Sequence, residues 1–458
     1  MTIEFSPTNK PVSFFEYLAK EKLYYKTETV ENFLLSMKVK PFIILSGGTG
    51  TGKTKLAQMY GKFISSEKNE YNITETEVTL TKADTNNGFT VKADDFFDKL
   101  PFDGRRANGI YKARLGNLEA DCTISLAPRL WYRPNVEKFK DEINSLKKQG
   151  KSKEILKIYI PIKIASGDHY EIVPVGSNWT ESRFILGYRN VLTKEYSSPN
   201  SLKLIIKANK NPSEPYMLIL DEMNLSHVER YFSDILSSME SGEEIYLDSD
   251  GTDVPNSIEF GNNLIIVGTV NVDETTYVFS PKVLDRANVI EFDNIAVADY
   301  FEGSVDIKPP SGNVDYLQNC MNGFDIRKMN AKEIIDYFNE TITNKPIISE
   351  LTKDLGMIQE TMDSIHLSFG FRTIDEILRF MYAAWVYTGK GEYNKWKRFF
   401  DAQIKQKILP KIKGNLSIKD GLEKLYSLCS EKGYETSASK LKTMINTLDK
   451  QRYVSFNC

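Results

Sequence analysis

Residues 47–54 read Gly-Gly-Thr-Gly-Thr-Gly-Lys-Thr, a spacing of glycines, lysine and hydroxyl that suits phosphate. Glycines let the backbone wrap closely with its N–H groups turned inward, and a following helix N-terminus adds positive potential. Lys53 could then reach a β- or γ-phosphate, and the Thr54 hydroxyl could ligate Mg2+. Gly47, Gly48, Thr49, Gly50, Thr51, Gly52, Lys53 and Thr54 are therefore the expected nucleotide contacts. Asp221 and Glu222 end an apolar run, Tyr216–Leu220. Asp221 suits Mg2+ and Glu222 suits a general base for an attacking water. Asn271 ends a second apolar run, Leu264–Val270, as a polar residue at the strand end. Arg286, in Ser280-Pro281-Lys282-Val283-Leu284-Asp285-Arg286, suits an arginine finger offered to a neighbouring subunit's nucleotide, with Lys282 the weaker choice. Arg372, in Phe369-Gly370-Phe371-Arg372, opens a helical pattern.

These groups need rigid elements. Phe42-Ile43-Ile44-Leu45 predicts a buried strand before the glycine turn, and Leu56, Met59, Tyr60 and Phe63 recur at helical spacing after it. Tyr170–Val175, Tyr216–Leu220 and Leu264–Val270 predict further buried strands, and Leu202–Ala208 a helix between two of them. Strands alternating with helices imply an α/β fold, a parallel sheet with helices on both faces. Residues 301–314 predict a Gly/Pro-rich linker. Helical patterns follow at 331–345, 346–367, 372–388, 394–408, 417–431 and 436–448. The expected domains are N-terminal helices (1–40), a nucleotide core (41–67 and 169–300), an inserted α+β subdomain (68–168) and a helical lid with C-terminal helices (315–458).

The 458 residues carry a net charge of −3, which excludes a polybasic chain but hides a local imbalance. Residues 85–168 hold 16 Lys/Arg against 11 Asp/Glu. Arg105, Arg106, Lys112, Arg114, Arg129, Arg133 and a Lys138–Lys163 cluster are interleaved with Phe102, Tyr111, Trp131 and Tyr132. Basic groups with aromatics can meet phosphates and stack on bases, so the insertion is a candidate DNA contact. A solvated basic face or a subunit contact is the plainer alternative. Three histidines and four cysteines, all well separated, argue against a zinc site or a disulfide framework. The start MTIEFSPTNK lacks an apolar signal core, and no apolar run approaches a membrane span. A cytoplasmic location without membrane contact is expected.

Together these stretches resemble the AAA+ NTPases of the McrB type, motor subunits of modification-dependent restriction systems. The resemblance rests on PFIILSGGTGTGKTKLAQMY, VPVGSNWTESRFILGYRNVLTKEY, YMLILDEMNLSHVERYFSDILSSMES, GTVNVDETTYVFSPKVLDRANVIEF and QKILPKIKGN, over about 25–67 and 169–415. It implies a three-layer αβα P-loop NTPase core, a helical lid, a hexameric ring and a separate McrC-like nuclease subunit. It also implies the sensor 1 role for Asn271 and the sensor 2 role for Arg372. Better-known members carry Met-Asn-Thr-x-Asp-Arg where this chain has Val270-Asn271-Val272-Asp273-Glu274-Thr275. ATP is the expected nucleotide, with GTP open. Only about 40 residues precede the first core strand, too few for the DNA-binding domain those members place there.

No convincing Asp…Glu-x-Lys nuclease set occurs, so cleavage is expected from a partner chain. The leading expectation is a nucleoside-triphosphate phosphohydrolase that drives a DNA restriction or phage-defence complex. A MoxR-like ATPase remodelling protein partners without DNA is the alternative. An assembly scaffold, in which nucleotide only sets oligomeric state, is a third.

Overall fold

The computed structural model describes residues 13–67, 169–251, 253–272, 277–292, 310–340, 345–390, 393 and 395–456; outside these it describes Asp141, Ser145 and the strand segments of the first 163 residues. The chain divides into two compact units, Met1–Val12 with Ile64–Asp168, and Ser13–Phe63 with His169–Cys458.

The larger unit is a mixed α/β fold on five parallel strands: β1 (Phe42–Gly47), β2 (Tyr170–Pro174), β3 (Tyr216–Asp221), β4 (Leu264–Asn271) and β5 (Asn288–Phe292). Their order across the sheet is β2-β3-β4-β1-β5, every neighbouring pair parallel. All residues of β1 and β4 are buried. Side chains alternate between faces along a strand, so both faces are covered, which is why these segments read as continuous apolar runs.

Parallel neighbours require crossover connections, and helices supply most of them. A first helix, α1 (Phe14–Lys20), starts with a reciprocal cap: Ser13 accepts from the Glu16 N–H and Glu16 accepts from the Ser13 N–H. α2 (Thr27–Val39) leads into β1, and α3 (Lys53–Glu67) leaves the glycine turn. α4 (Asn200–Lys210) precedes β3; α5 (Ser233–Ser241) and α6 (Pro281–Arg286) follow. The C-terminal part contains α7 (Ala331–Glu340), α8 (Lys345–Ser364), α9 (Phe371–Tyr387), α10 (Trp396–Gln403), α11 (Lys419–Lys432) and α12 (Glu435–Gln451). These helices share one compact unit with the sheet. α10 continues into a π-helical turn, Ile404–Ile408, and then a 3-10 turn holding Pro410. Proline lacks an N–H and cannot extend the ladder, so the helix ends there. None of the described helices is long and apolar enough to cross a membrane.

The smaller unit carries a mainly antiparallel sheet. Residues Thr2–Pro7, expected among the leading helices, instead form a strand in it. That strand lies between Leu156–Lys163, parallel, and Tyr111–Leu115, antiparallel. Ile3 and Phe5 alternate with Thr2, Glu4 and Ser6, a period-2 pattern masked by the strong helical spacing beginning at Phe14. Register sets Lys112 opposite Asp121, and Arg114 opposite both Glu119 and Glu4. Arg105, Arg133, most of the Lys138–Lys163 cluster and most of the 301–314 linker lie outside the described residues.

Candidate functional site

The glycine turn joins the carboxyl end of β1 to the N-terminus of α3. Gly50 and Gly52 take φ of +82° and +88°, a left-handed region costly for any residue with a Cβ. Lys53 is 4% exposed and folds over the turn, donating to the carbonyls of Gly47 at 2.8 Å and Gly48 at 2.6 Å. The Thr51 hydroxyl donates to the Gly48 carbonyl at 2.9 Å. Tyr25, in the loop before α2, donates to the Gly52 carbonyl at 3.0 Å, and its ring meets Phe292 edge-on. Burial raises the Tyr25 phenol well above its usual range, so it stays a donor.

The strand order explains what gathers beside the turn. β4 lies between β1 and β3, and its last residue, Asn271, pairs in register with Gly47. Asp221 and Glu222 leave the same edge from β3. The Thr54 hydroxyl donates to Asp221 Oδ1 at 2.6 Å, and Asn271 Nδ2 donates to Glu222 Oε1 at 3.0 Å. Thus Lys53, Thr54, Asp221, Glu222 and Asn271 meet at one edge of the sheet.

Thr269 is a site residue that sequence reasoning missed. Its hydroxyl donates to Asp221 Oδ1 at 2.7 Å and accepts from the Glu222 N–H at 3.0 Å. The signal was a lone hydroxyl two positions before Asn271, hence on the same face of β4. Glu222 itself sits at φ 53°, ψ 47°, left-handed for a non-glycine residue. Such a conformation costs about 1–3 kcal/mol and persists only where neighbours hold it; Thr269 and Asn271 do so here.

Asp221 and Thr54 offer hard oxygen ligands in direct contact, a donor pair that fits Mg2+ better than a softer metal. Among the described residues no group of three or more His, Cys, Asp or Glu side chains could hold a metal.

Arg286 and Arg372 are brought together, but not to this turn. Asn288 of β5 pairs with Ile43 of β1, so Arg286 lies where β1 begins and the glycine turn where it ends. Five strand steps, about 17 Å, separate those ends, more than an arginine side chain spans. Glu240 on α5 forms ion pairs with both arginines, at 2.6 Å to Arg372. Arg372 also reaches Asp285 at 3.1 Å. Arg286 donates to the carbonyls of Leu236 at 3.1 Å and Lys282 at 2.8 Å. Burial, then the like charge of Arg372, lowers the Arg286 guanidinium from a value so high that it remains charged. A cavity of about 500 Å³ beside them is lined by Lys282, Arg286, Arg372, Lys411 and Lys413 among others. Glu240 was also missed: in sequence it is one more acid near a helix end.

A domain family of unknown function, DUF8727, matches residues 324–453, which include Arg372 but not the glycine turn. No curated protein matches the chain.

Proposed function

We propose that this chain is a nucleoside triphosphatase of the AAA+ type, most similar in its motifs to the McrB-type motors, with ATP as substrate and GTP as the alternative. The carrying observation is the hydrogen-bonded set Thr54–Asp221–Thr269 and Glu222–Asn271 at the carboxyl edge of the sheet, beside a glycine turn that opens α3. Inward N–H groups and Lys53 would bind the triphosphate, Lys53 exchanging carbonyl partners for phosphate oxygens. Thr54 and Asp221 would hold Mg2+, which when bound neutralises charge on the phosphate oxygens. Glu222 would take a proton from the attacking water, and Asn271 would hold that carboxylate through its Oε1.

Arg286 lies at the opposite end of β1 from the turn of its own chain, and Arg372 is paired beside it. The reading that uses them is a closed ring, in which the amino edge of one subunit meets the carboxyl edge of the next. An arginine supplied in this way contributes about 10³–10⁵ in kcat. The family resemblance further suggests a hexamer, a separate McrC-like nuclease subunit and a role in DNA restriction or phage defence. The basic insertion would supply any DNA contact of this chain.

The test is Mg2+-dependent hydrolysis of ATP and GTP by the purified chain, with Lys53→Ala and Glu222→Gln as controls. Hydrolysis intact in Lys53→Ala would overturn the site. DNA-dependent stimulation and co-purification with a nuclease would support the restriction role. Remodelling of a protein substrate without DNA dependence would move the assignment to a MoxR-like ATPase.

A further inference from the structure

The backbone around Arg286 is gripped by buried charges. Lys407, in the π-helical turn after α10, has a side chain 0% exposed. Its ammonium donates to the Asp285 carbonyl at 3.2 Å and the Ala287 carbonyl at 2.9 Å, and it forms an ion pair with Glu376 Oε2 at 2.6 Å. The two carbonyls belong to the residues on either side of Arg286. Lys40, just before β1, donates to the same Asp285 carbonyl at 2.7 Å and pairs with the other Glu376 oxygen. Glu376, on α9, therefore joins two lysines, one oxygen to each, with its side chain 4% exposed. Lys411 adds a bond to Asp285 Oδ1 at 3.1 Å.

A helix end this short could be held by ordinary packing. Removing three charges from water is expensive, and similar apolar groups often give equal or greater stability. A buried ionic device is thus poorly explained by stability and better explained by the geometry it fixes. π-helical turns inside α-helices also concentrate at functional sites, because the extra residue re-aims a side chain. Here Lys407 lies in such a turn at the end of α10, and it bonds the carbonyls on either side of Arg286.

We propose that Lys407 and Glu376, with Lys40, are positioning residues for Arg286. In this scheme the C-terminal helices set the aim of the arginine presented to the neighbouring subunit. The inference rests on the reading of Arg286 as a finger acting on a neighbour's nucleotide. Burial acts against the charge on Glu376, but Lys407 and then Lys40 outweigh it and hold the carboxyl below its usual range. The ionic form of the device is thereby maintained.

The test is a double-mutant cycle on nucleotide hydrolysis by the full chain. One arm is Lys407→Met/Glu376→Leu, which removes the lysine–carboxylate pair together and leaves neither of those charges behind. The other arm is Arg286→Ala. Equilibrium binding of a fluorescent ATP analogue and thermal melting are read beside kcat. The expected result is a kcat about 10- to 100-fold lower in the first arm, with nucleotide affinity unchanged. The paired change should then have no further effect in the Arg286→Ala background. Independent, multiplicative losses would assign the pair a purely structural role and overturn the proposal, as would an unchanged kcat in the first arm. An Arg286→Ala chain with full kcat would instead overturn the finger reading on which the proposal stands. If the paired variant loses its cooperative melt, the shape-preserving Glu376→Gln is read through the same cycle.

Discussion

The two edges of the parallel sheet are built in opposite ways. At the carboxyl edge, most of the chemistry comes from residues contiguous with a strand end: Lys53 and Thr54 after β1, Asp221 and Glu222 at the end of β3, Asn271 closing β4. At the amino edge, Arg286 is held by residues from distant parts of the chain. Lys40 and Glu376 are 336 positions apart, and Lys407 is 122 from Asp285. The first edge is a property of local sequence, and the second exists only after the helices have packed. Under the proposed ring reading, a site needing both edges, supplied by two copies of the chain, would make assembly a condition of turnover.

The largest expected effects lie at the two edges of the sheet, with one variant at each. Glu222→Gln should lower kcat about 10²–10⁴-fold while nucleotide still binds, as steady-state hydrolysis and equilibrium binding will report. At the amino edge, Arg286→Ala should lower kcat about 10³-fold. The comparison is sharpened by mixing. Glu222→Gln subunits carry an intact amino edge, and Arg286→Ala subunits an intact carboxyl edge. Mixed assemblies should therefore hydrolyse faster than either variant alone. No recovery on mixing would mean that the two edges do not cooperate between subunits.

A smaller effect is expected at Thr269. Thr269→Val keeps the shape but removes the bonds to Asp221 and the Glu222 N–H, and should cost about 1–3 kcal/mol of stability with a lower kcat. Thr269→Ser should recover most of the kcat. An unchanged melting temperature and kcat in Thr269→Val would remove it from the site.

The amino edge also predicts a response to pH through Lys38, near the end of α2, which is buried and donates to the Asn319 carbonyl at 2.7 Å. Burial pushes its ammonium down to about 7. An unfolded lysine titrates near 10.4, so between these values the unfolded chain binds more protons. The penalty is full below about pH 7 and fades towards 10.4, so this group makes stability rise with pH across that window. Lys38→Met should therefore improve relative to the parent on going from pH 9 to pH 6, by about 2–3 kcal/mol in denaturant titrations. A pH-independent difference would break the assignment.

Legibility followed the same division between edges. The parallel sheet was readable because β1 and β4 are buried on both faces and so appear as unbroken apolar runs. The six C-terminal helical patterns correspond to α7 to α12, with the π-helical turn hidden inside the fourth. Thr269 escaped because one hydroxyl in a strand has no local signature. Glu240, Glu376 and Lys407 escaped because their partners are fixed by packing, and nothing in sequence separates a buried lysine from a solvated one. The neighbourhood of Arg372 also depends on packing: its position at the start of α9 was legible, its pairing with Glu240 and Asp285 was not.

The strand Thr2–Pro7 bears on how the chain can be made and cut. It pairs with Leu156–Lys163, about 150 residues later. At roughly 5–20 residues per second, the ribosome delivers that partner about 8–30 s after the first strand emerges. Meanwhile Ser13–Phe63, which belongs to the other unit, is already out. The sheet of the smaller unit is thus completed around its own first strand, Thr2–Pro7, and an excised 64–168 fragment would lack that interior strand. Such a fragment would expose two unpaired strand edges, templates for self-association, and would need residues 1–12 returned as a separate peptide to complete its sheet.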